Sequence, residues 1–121
     1  MSNTFSKSDY LHTLEWLIAF FPNTFSRKPK EIKHLKIGIL EDLYAFHNCL
    51  THPEVSKNDI KLAITHYSSS SIYLASQKEN VARIDLYGQE VDVVNHEQAK
   101  YAQQRFEHKQ LHKRNLTRSM E

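Results

Sequence analysis

Residues 56 to 73 read SKNDIKLAITHYSSSSIY and contain the clearest structural signals in the chain. Ser56 and Asp59 are three residues apart, which predicts a capped helix start because each side chain can accept the other residue's backbone N–H. Apolar residues then recur at helical spacing, at Ile60, Ala63, Ile64 and Tyr67. Lys57 and Lys61 lie one turn apart on another face. This stripe can follow a phosphate backbone or simply face solvent.

Four consecutive serines interrupt this helix before a short helix predicted from Ser70 to Gln77. Free backbone N–H groups and the helix dipole at a helix start both favour an anion. The hydroxyls of Ser68, Ser69 and Ser70 add donors without obstructing access. These residues are therefore candidate ligands for a phosphate or a terminal ribose. A turn between two helices that is capped by serines accounts for the same pattern.

Two helices are predicted on the N-terminal side of this stretch. Apolar spacing predicts the first from about Ser8 to Phe21, and Pro22 ends it. Asn23 to Lys33 is expected to form a loop. The second helix is predicted from about Gly38 to Leu50, and its inward side chains should be Leu40, Leu43 and Leu50.

A β-hairpin and a last helix are predicted on the C-terminal side. Ala82, Ile84 and Leu86 alternate with Arg83, Asp85 and Tyr87, which is strand spacing. Gly88 marks a turn, and residues 89–94 would return as the second strand. Asn95 and Gln98 form a capping pair for a helix that runs to about Lys113, with Ala99, Ala102 and Phe106 inward. The predicted fold class is mainly α with a small β-hairpin (α+β), with about five helices.

Composition restricts the class of protein. The chain has 121 residues, 40% of them hydrophobic, which suffices for one core but not for two. No apolar run approaches the ~20 residues of a membrane span, and the N-terminus shows no signal-peptide pattern. Cys49 is the only cysteine. No internal disulfide is therefore possible, and we expect a cytoplasmic protein that has no membrane partner.

Charge is unevenly distributed, although the net charge is only +2. One basic cluster consists of Arg27, Lys28, Lys30, Lys33 and Lys36. A second, at the C-terminus, consists of Lys109, Lys113, Arg114 and Arg118. Such segregation favours a polyanionic partner, although short basic runs also occur in solvated loops. Lys36 stands out as a lone cation between two apolar residues before a helix start.

Two tyrosines and one arginine are further candidates for nucleic-acid contact. Tyr67 shares the apolar face of its helix and is expected to be at least partly buried, which leaves Tyr73 as the freer ring for stacking on a base. Arg83 is expected on the strand face opposite Ile84. There it can bind phosphate through two N–H groups or pair with Asp85 on the same face.

Catalytic and metal-binding patterns are missing from the sequence. His108 and His112 have a one-turn spacing that suits a metal, but no third ligand is near them in the sequence. Cys49 has no CxxC partner, and there is no nucleophile elbow, P-loop or dinucleotide-binding glycine pattern. We therefore expect no enzyme activity, no catalytic residues, no metal and no cofactor.

Four segments, in their order and spacing, resemble the ProQ/FinO family of bacterial RNA-binding proteins. They are residues 16–25, 35–39, 56–73 and 82–86. The resemblance covers about residues 11–106 and implies that 1–121 is one RNA-binding domain. Its core would span about 8–107, with a basic C-terminal helix or tail at 108–121. It looks like a minimal member, without the linker and extra domain that some relatives carry.

The resemblance implies an RNA chaperone for small regulatory RNAs and mRNA 3′ regions in post-transcriptional regulation. It also implies a preference for terminator-type hairpins with a single-stranded 3′ tail. Lys36, Lys61, Tyr73 and Arg83 fall where the family places RNA contacts, as do Ser68 and Ser69. Together with the residues chosen above, the predicted RNA-binding set is Lys36, Lys57, Lys61, Tyr67, Ser68, Ser69, Ser70, Tyr73 and Arg83.

Three positions depart from the family pattern. Ser71 and Ile72 stand where the family often has a tryptophan and an arginine, so one cation and one large ring are lost here. His34 replaces a frequent proline and can respond to pH. Two other functions remain open. They are a protein-interaction module that uses the basic loop and the C-terminal helix, and a duplex-DNA binder. We expect a monomer.

Overall fold

A computed structural model describes the backbone of residues 5–119 and the side chains of residues 5–115. It contains five α-helices, which are α1 (Lys7–Phe20), α2 (Ile39–Asn48), α3 (Lys57–Ser68), α4 (Ser71–Ser76) and α5 (His96–Ser119). A short 3₁₀ helix spans Pro29–Glu31. The strands are β1 (His34–Leu35), β2 (Ala82–Ile84) and β3 (Glu90–Val93). The mainly helical α+β class is confirmed.

The helix starts follow from local capping pairs. At α3, the Ser56 hydroxyl accepts the Asp59 N–H and the Asp59 carboxylate accepts the Ser56 N–H, both at 3.0 Å. At α5, Asn95 and Gln98 exchange the same kind of bonds at 2.8 and 3.0 Å. Both predicted capping pairs are confirmed. Each pair satisfies N–H groups that a helix start leaves without an intrahelical partner.

The sheet has three strands, whereas a hairpin alone was predicted. β1 pairs in parallel with β2, with His34 opposite Arg83 and Leu35 opposite Ile84. β2 pairs antiparallel with β3, with an irregularity in register between Arg83 and Ile84. β2 is therefore central, in the order β1-β2-β3. β1 has only two residues, too few to show an alternating pattern in the sequence.

The core lies where α1, α2 and α3 meet the sheet and α4. Leu17, Leu43 and Ile60 have no measurable exposure, and the predicted apolar face of α3 is buried along its length. Of the three leucines predicted to point inward from α2, Leu43 is buried, and Leu40 and Leu50 are partly buried. Packing of this apolar face, rather than helix propensity alone, stabilises α3.

The last helix packs on α4 and then continues beyond it. Ala102 is 2% exposed, while Ala99 and Phe106 are partly buried. The helix ends at Ser119, later than the predicted end near Lys113. Among the described residues, no helix has the length and apolar character needed to cross a bilayer.

Candidate nucleic-acid interface

The turn between α3 and α4 brings the candidate serines together, but their hydroxyls have different partners. The Ser68 hydroxyl donates to the Ile64 carbonyl at 2.8 Å. The Ser70 hydroxyl donates to the Tyr67 carbonyl at 2.9 Å and accepts the Tyr73 N–H at 3.2 Å. These two serines therefore cap the ends of the two helices, as the alternative interpretation of the pattern expected.

Ser69 differs because it is contacted by two cations of α5. Arg105 Nη2 donates to the Ser69 hydroxyl at 3.2 Å, and Lys109 Nζ donates to the Ser69 carbonyl. Within the described part of the chain, neither cation forms an ion pair with a carboxylate. Ser69 is the C-cap of α3, where cations are favourable because the helix dipole is negative there. The turn thus lies beside uncompensated positive charge.

Sequence reasoning missed Arg105 and Lys109 as members of this site. They are four residues apart, so they share one face of α5. This spacing could have been recognised in the sequence. However, the sequence contains no sign that this face meets Ser69, which lies 36 residues before Arg105 and 40 before Lys109.

Tyr73 and Arg83 hold the backbone of Leu35 from two sides. The Tyr73 hydroxyl accepts the Leu35 N–H at 3.0 Å, and Arg83 Nη1 donates to the Leu35 carbonyl at 3.1 Å. Tyr73 is 4% exposed and Arg83 is 6% exposed. Burial, the largest effect, raises the pKa of Tyr73, so its hydroxyl is neutral near pH 7 and keeps its hydrogen.

The expectation that Tyr73 is the freer of the two tyrosines was wrong. α4 directs its ring inward against Tyr67, with ring centroids 6.1 Å apart, and β1 covers its hydroxyl. Arg83 was expected on an open strand face opposite Ile84, yet both residues are buried. The guanidinium of Arg83 reaches the Leu35 carbonyl, a contact that depends on β1, which was not predicted.

The alternative prediction, in which Arg83 pairs with Asp85, was also wrong. Arg83 Nε lies 3.7 Å from an oxygen of Asp92 on β3. Asp85 instead accepts the N–H groups of Tyr87 and Gln89 at 2.9 and 3.0 Å and so stabilises the hairpin turn. Among the buried side-chain atoms described, Arg83 Nε lacks a hydrogen-bond partner.

His34 is the second buried side chain with an unpaired atom. Its Nε2 lies 2.7 Å from the Ser76 carbonyl, so Nε2 carries hydrogen and donates. Nδ1 has no partner among the described residues. Burial lowers the pKa of His34, with a further lowering from the charge of Arg83, while the bond to Ser76 opposes both. His34 is therefore a neutral ring at pH 7.

The predicted lysines remain accessible. Lys36 Nζ is 2.8 Å from Asp42 Oδ2, and this hydrogen bond is the main cause that raises the pKa of Lys36. Lys57 and Lys61 are exposed on α3, with Lys57 6.0 Å from the centre of the Tyr44 ring. These three cations can reach an external anion without rearrangement of the core.

Tyr67 is buried, as was expected in part. It is 3% exposed, and its hydroxyl accepts the Ser26 N–H at 3.4 Å. Burial raises the pKa of Tyr67 to about 12. Tyr67 therefore links the basic loop to α3 and lies beneath the surface that a ligand would meet.

Metal ligands do not cluster in the described part of the chain: no group of three or more His, Cys, Asp or Glu side chains is arranged to hold an ion. Cys49 is an exposed thiol.

The fold and the site together define a class of protein. The chain is a small helical domain with a three-stranded sheet, and a serine-rich helix turn is met by cations of the last helix. A family model described as the ProQ/FINO family matches residues 8–119. The chain belongs to the ProQ/FinO family, which is a family of non-enzymatic RNA-binding proteins. The expectation that the chain is not an enzyme is confirmed by its membership of this family.

Individual relatives agree with the family assignment. The chain is 36% identical over 91 residues to the RNA chaperone ProQ of Idiomarina loihiensis, a match that covers 75% of this chain and 42% of the relative. It is 35% identical over 107 residues to the RNA chaperone ProQ of Pseudoalteromonas atlantica, covering 88% and 48%. The chain thus spans less than half the length of these relatives.

A solved structure shares the fold. The NMR solution structure of a ProQ homolog from Legionella pneumophila matches with a TM-score of 0.74 and 46% identity. The match covers 89% of this chain and 88% of that one. This similarity confirms the predicted fold over most of the described residues.

Proposed function

We propose that this chain binds structured RNA and acts as an RNA chaperone in post-transcriptional regulation. The observation that carries the proposal is the family match over residues 8–119, together with relatives that are named RNA chaperones. The finer part of the proposal concerns the target. It is a terminator-type hairpin with a single-stranded 3′ tail, from a small RNA or an mRNA 3′ region.

Exposed cations would make the primary contacts in this proposal. Lys57 and Lys61 form a stripe on α3, and Arg105 and Lys109 add positive charge at the serine turn. A-form RNA presents mainly phosphates and 2′-hydroxyls to a protein. Cations on rigid helices suit the backbone of such a duplex, because binding releases the counterions that surround the phosphates.

The 3′ end would lie between the serine turn and the start of α2. Lys36 supplies a cation there, and Ser68, Ser69 and Ser70 supply hydroxyls. Tyr73 and Arg83 shape the floor because they hold the backbone of Leu35. Tyr67 supports the turn from below. We keep all nine predicted residues in the proposed interface, with the buried ones in a positioning role.

The decisive experiment is a binding titration with one hairpin in two forms, with a free 3′-hydroxyl and with a 3′-phosphate. A site that encloses the terminal ribose disfavours the added phosphate, because that phosphate brings charge and bulk. We expect tighter binding of the free hydroxyl. Equal binding would mean that the protein holds only the duplex backbone, and the 3′-end site would be discarded.

Two controls separate the other functions. A DNA hairpin of the same sequence should bind more weakly, since it lacks the 2′-hydroxyls, and equal affinity would favour a duplex-DNA binder. An Arg105→Gln/Lys109→Gln variant should lose affinity, while Lys7→Gln on α1 should not. Absence of binding to every hairpin would favour a protein-interaction module. The cytoplasmic location and the monomeric state remain predictions.

A further inference from the structure

A groove adjoins the serine turn on the side that faces α1. Its volume is about 310 Å³, and its lining includes Tyr10, Arg27, Ile32, His66, Ser70 and Ile72. The groove lies between α1, the loop that follows it, and the junction of α3 and α4. The groove shares Ser70 and Tyr67 with the serine turn, whereas its wall of Tyr10, His66 and Ile72 contains none of the nine residues predicted to bind RNA.

The wall of this groove is a pair of rings beside an aliphatic side chain. The centroids of Tyr10 and His66 are 4.2 Å apart, with 57° between the ring planes. Ile72 also lines the groove, and it is 44% exposed, so part of its apolar surface is open to a ligand. A flat aromatic ligand can stack on such a wall, because every nucleobase presents a π face.

The rim of the groove is basic. Arg27 lines the groove. Lys28 follows it on the same exposed loop and has no ion-pair partner among the described residues. Arg27 contacts Glu15, but both side chains are more than half exposed. An exposed pair of this kind contributes little to stability, so Arg27 can exchange Glu15 for a phosphate. Glu31, on the same loop, accepts the Ser26 hydroxyl.

We propose that this groove binds one unpaired nucleotide of the RNA, an inference that rests on the proposed RNA-binding function. The base lies against His66, Tyr10 and Ile72, and its phosphate lies beside Arg27 and Lys28. The volume is at the lower end of the ~300–1,000 Å³ range of ligand pockets. That size accepts one base and excludes a duplex. The charge of the rim selects a nucleotide over an uncharged aromatic ligand.

The test uses the full chain and a terminator-type hairpin with 2-aminopurine placed at each single-stranded position in turn. Stacking on an aromatic ring quenches the fluorescence of this base. We expect that binding quenches one position more strongly than the others. The His66→Ala and Ile72→Ala variants, both at exposed positions, should restore that fluorescence and weaken binding of the tailed hairpin roughly tenfold.

Two controls make the result specific to the groove. A hairpin without single-stranded residues should bind the wild-type chain and the two variants equally. His12→Ala, which removes an exposed histidine from another face of α1, should behave as wild type. If the tailed hairpin binds but neither variant changes quenching or affinity, the groove assignment is wrong and the proposed function stands. If the wild-type chain binds no RNA, both are wrong.

Discussion

At the scale of single residues, Leu35 serves the fold through its backbone as well as through its buried side chain. Its N–H and C=O are held by Tyr73 and Arg83, so two residues chosen as RNA contacts also serve the fold. Residue type and the family resemblance selected them as RNA contacts, and that role stays a prediction. Their burial was not predictable, because it depends on β1, a strand of two residues that pairs with a segment 49 residues away.

His34 should make stability depend on pH. Its pKa is lowered from the model-peptide value of 6.5, chiefly by burial, so the unfolded chain binds a proton that the folded chain rejects. The contribution to stability is complete above about pH 6.5 and falls as pH drops toward the folded-state pKa. One such proton changes the free energy of unfolding by at most ~1.4 kcal/mol per pH unit.

The measurement compares wild type with His34→Gln in urea unfolding at several pH values between about 5 and 8. Glutamine can donate to the Ser76 carbonyl and does not titrate. The wild type should therefore lose more stability than the variant as the pH falls. Parallel curves for the two proteins would show that His34 takes up its proton equally well in the folded chain.

At the scale of elements, the helices were predictable because their signals are local. The capping pairs at α3 and α5 lie within four consecutive residues each, and the apolar periodicity of α3 needs no tertiary information. The exception is the length of α5. Its last turns have few apolar residues to pack, so periodicity ended the prediction near Lys113, whereas the helix continues to Ser119.

The hairpin turn depends on the space that Gly88 leaves for the loop after α1. A Cβ added at Gly88 would lie 2.9 Å from Asn23 Cβ and 3.1 Å from the Asn23 carbonyl oxygen, and φ is +79°. Gly88→Ala should therefore combine a left-handed backbone cost of ~1–2 kcal/mol with an overpacking cost of ~1–3 kcal/mol. Urea unfolding measures the sum.

Gly38 offers the matched control for this substitution. Its φ is +90°, but a Cβ there would meet only the Glu41 carboxylate, at 3.6 Å. Gly38→Ala should thus show the backbone cost without the overpacking cost. Equal destabilisation by the two substitutions would mean that the Asn23 loop moves away without resistance and does not restrain the hairpin.

At the scale of the whole molecule, the exposed cations come from segments that are distant in sequence. The basic loop, α3 and α5 each supply cations. Arg105 of α5 contacts Ser69, which lies 36 residues earlier in the sequence. The two basic clusters and the lysine stripe could be identified from the sequence. Which of them face a common surface could not, because that depends on how α4 packs on α5.

RNA affinity should fall steeply with salt, and the steepness should identify which cations meet phosphates. The logarithm of the binding constant changes linearly with the logarithm of salt concentration, by about 0.7–0.9 for each phosphate neutralised. Lys61→Gln should reduce the slope by about this amount, while Lys7→Gln leaves it unchanged.

Lys36→Gln should reduce the slope less, because Lys36 is already neutralised by Asp42 at 2.8 Å and has fewer counterions to exchange. Titrations of one hairpin at four or more salt concentrations would measure these slopes. If Lys36 and Lys61 changed the slope equally, Lys36 would have to leave Asp42 when RNA binds, and the carboxylate would then be free to repel the same phosphate.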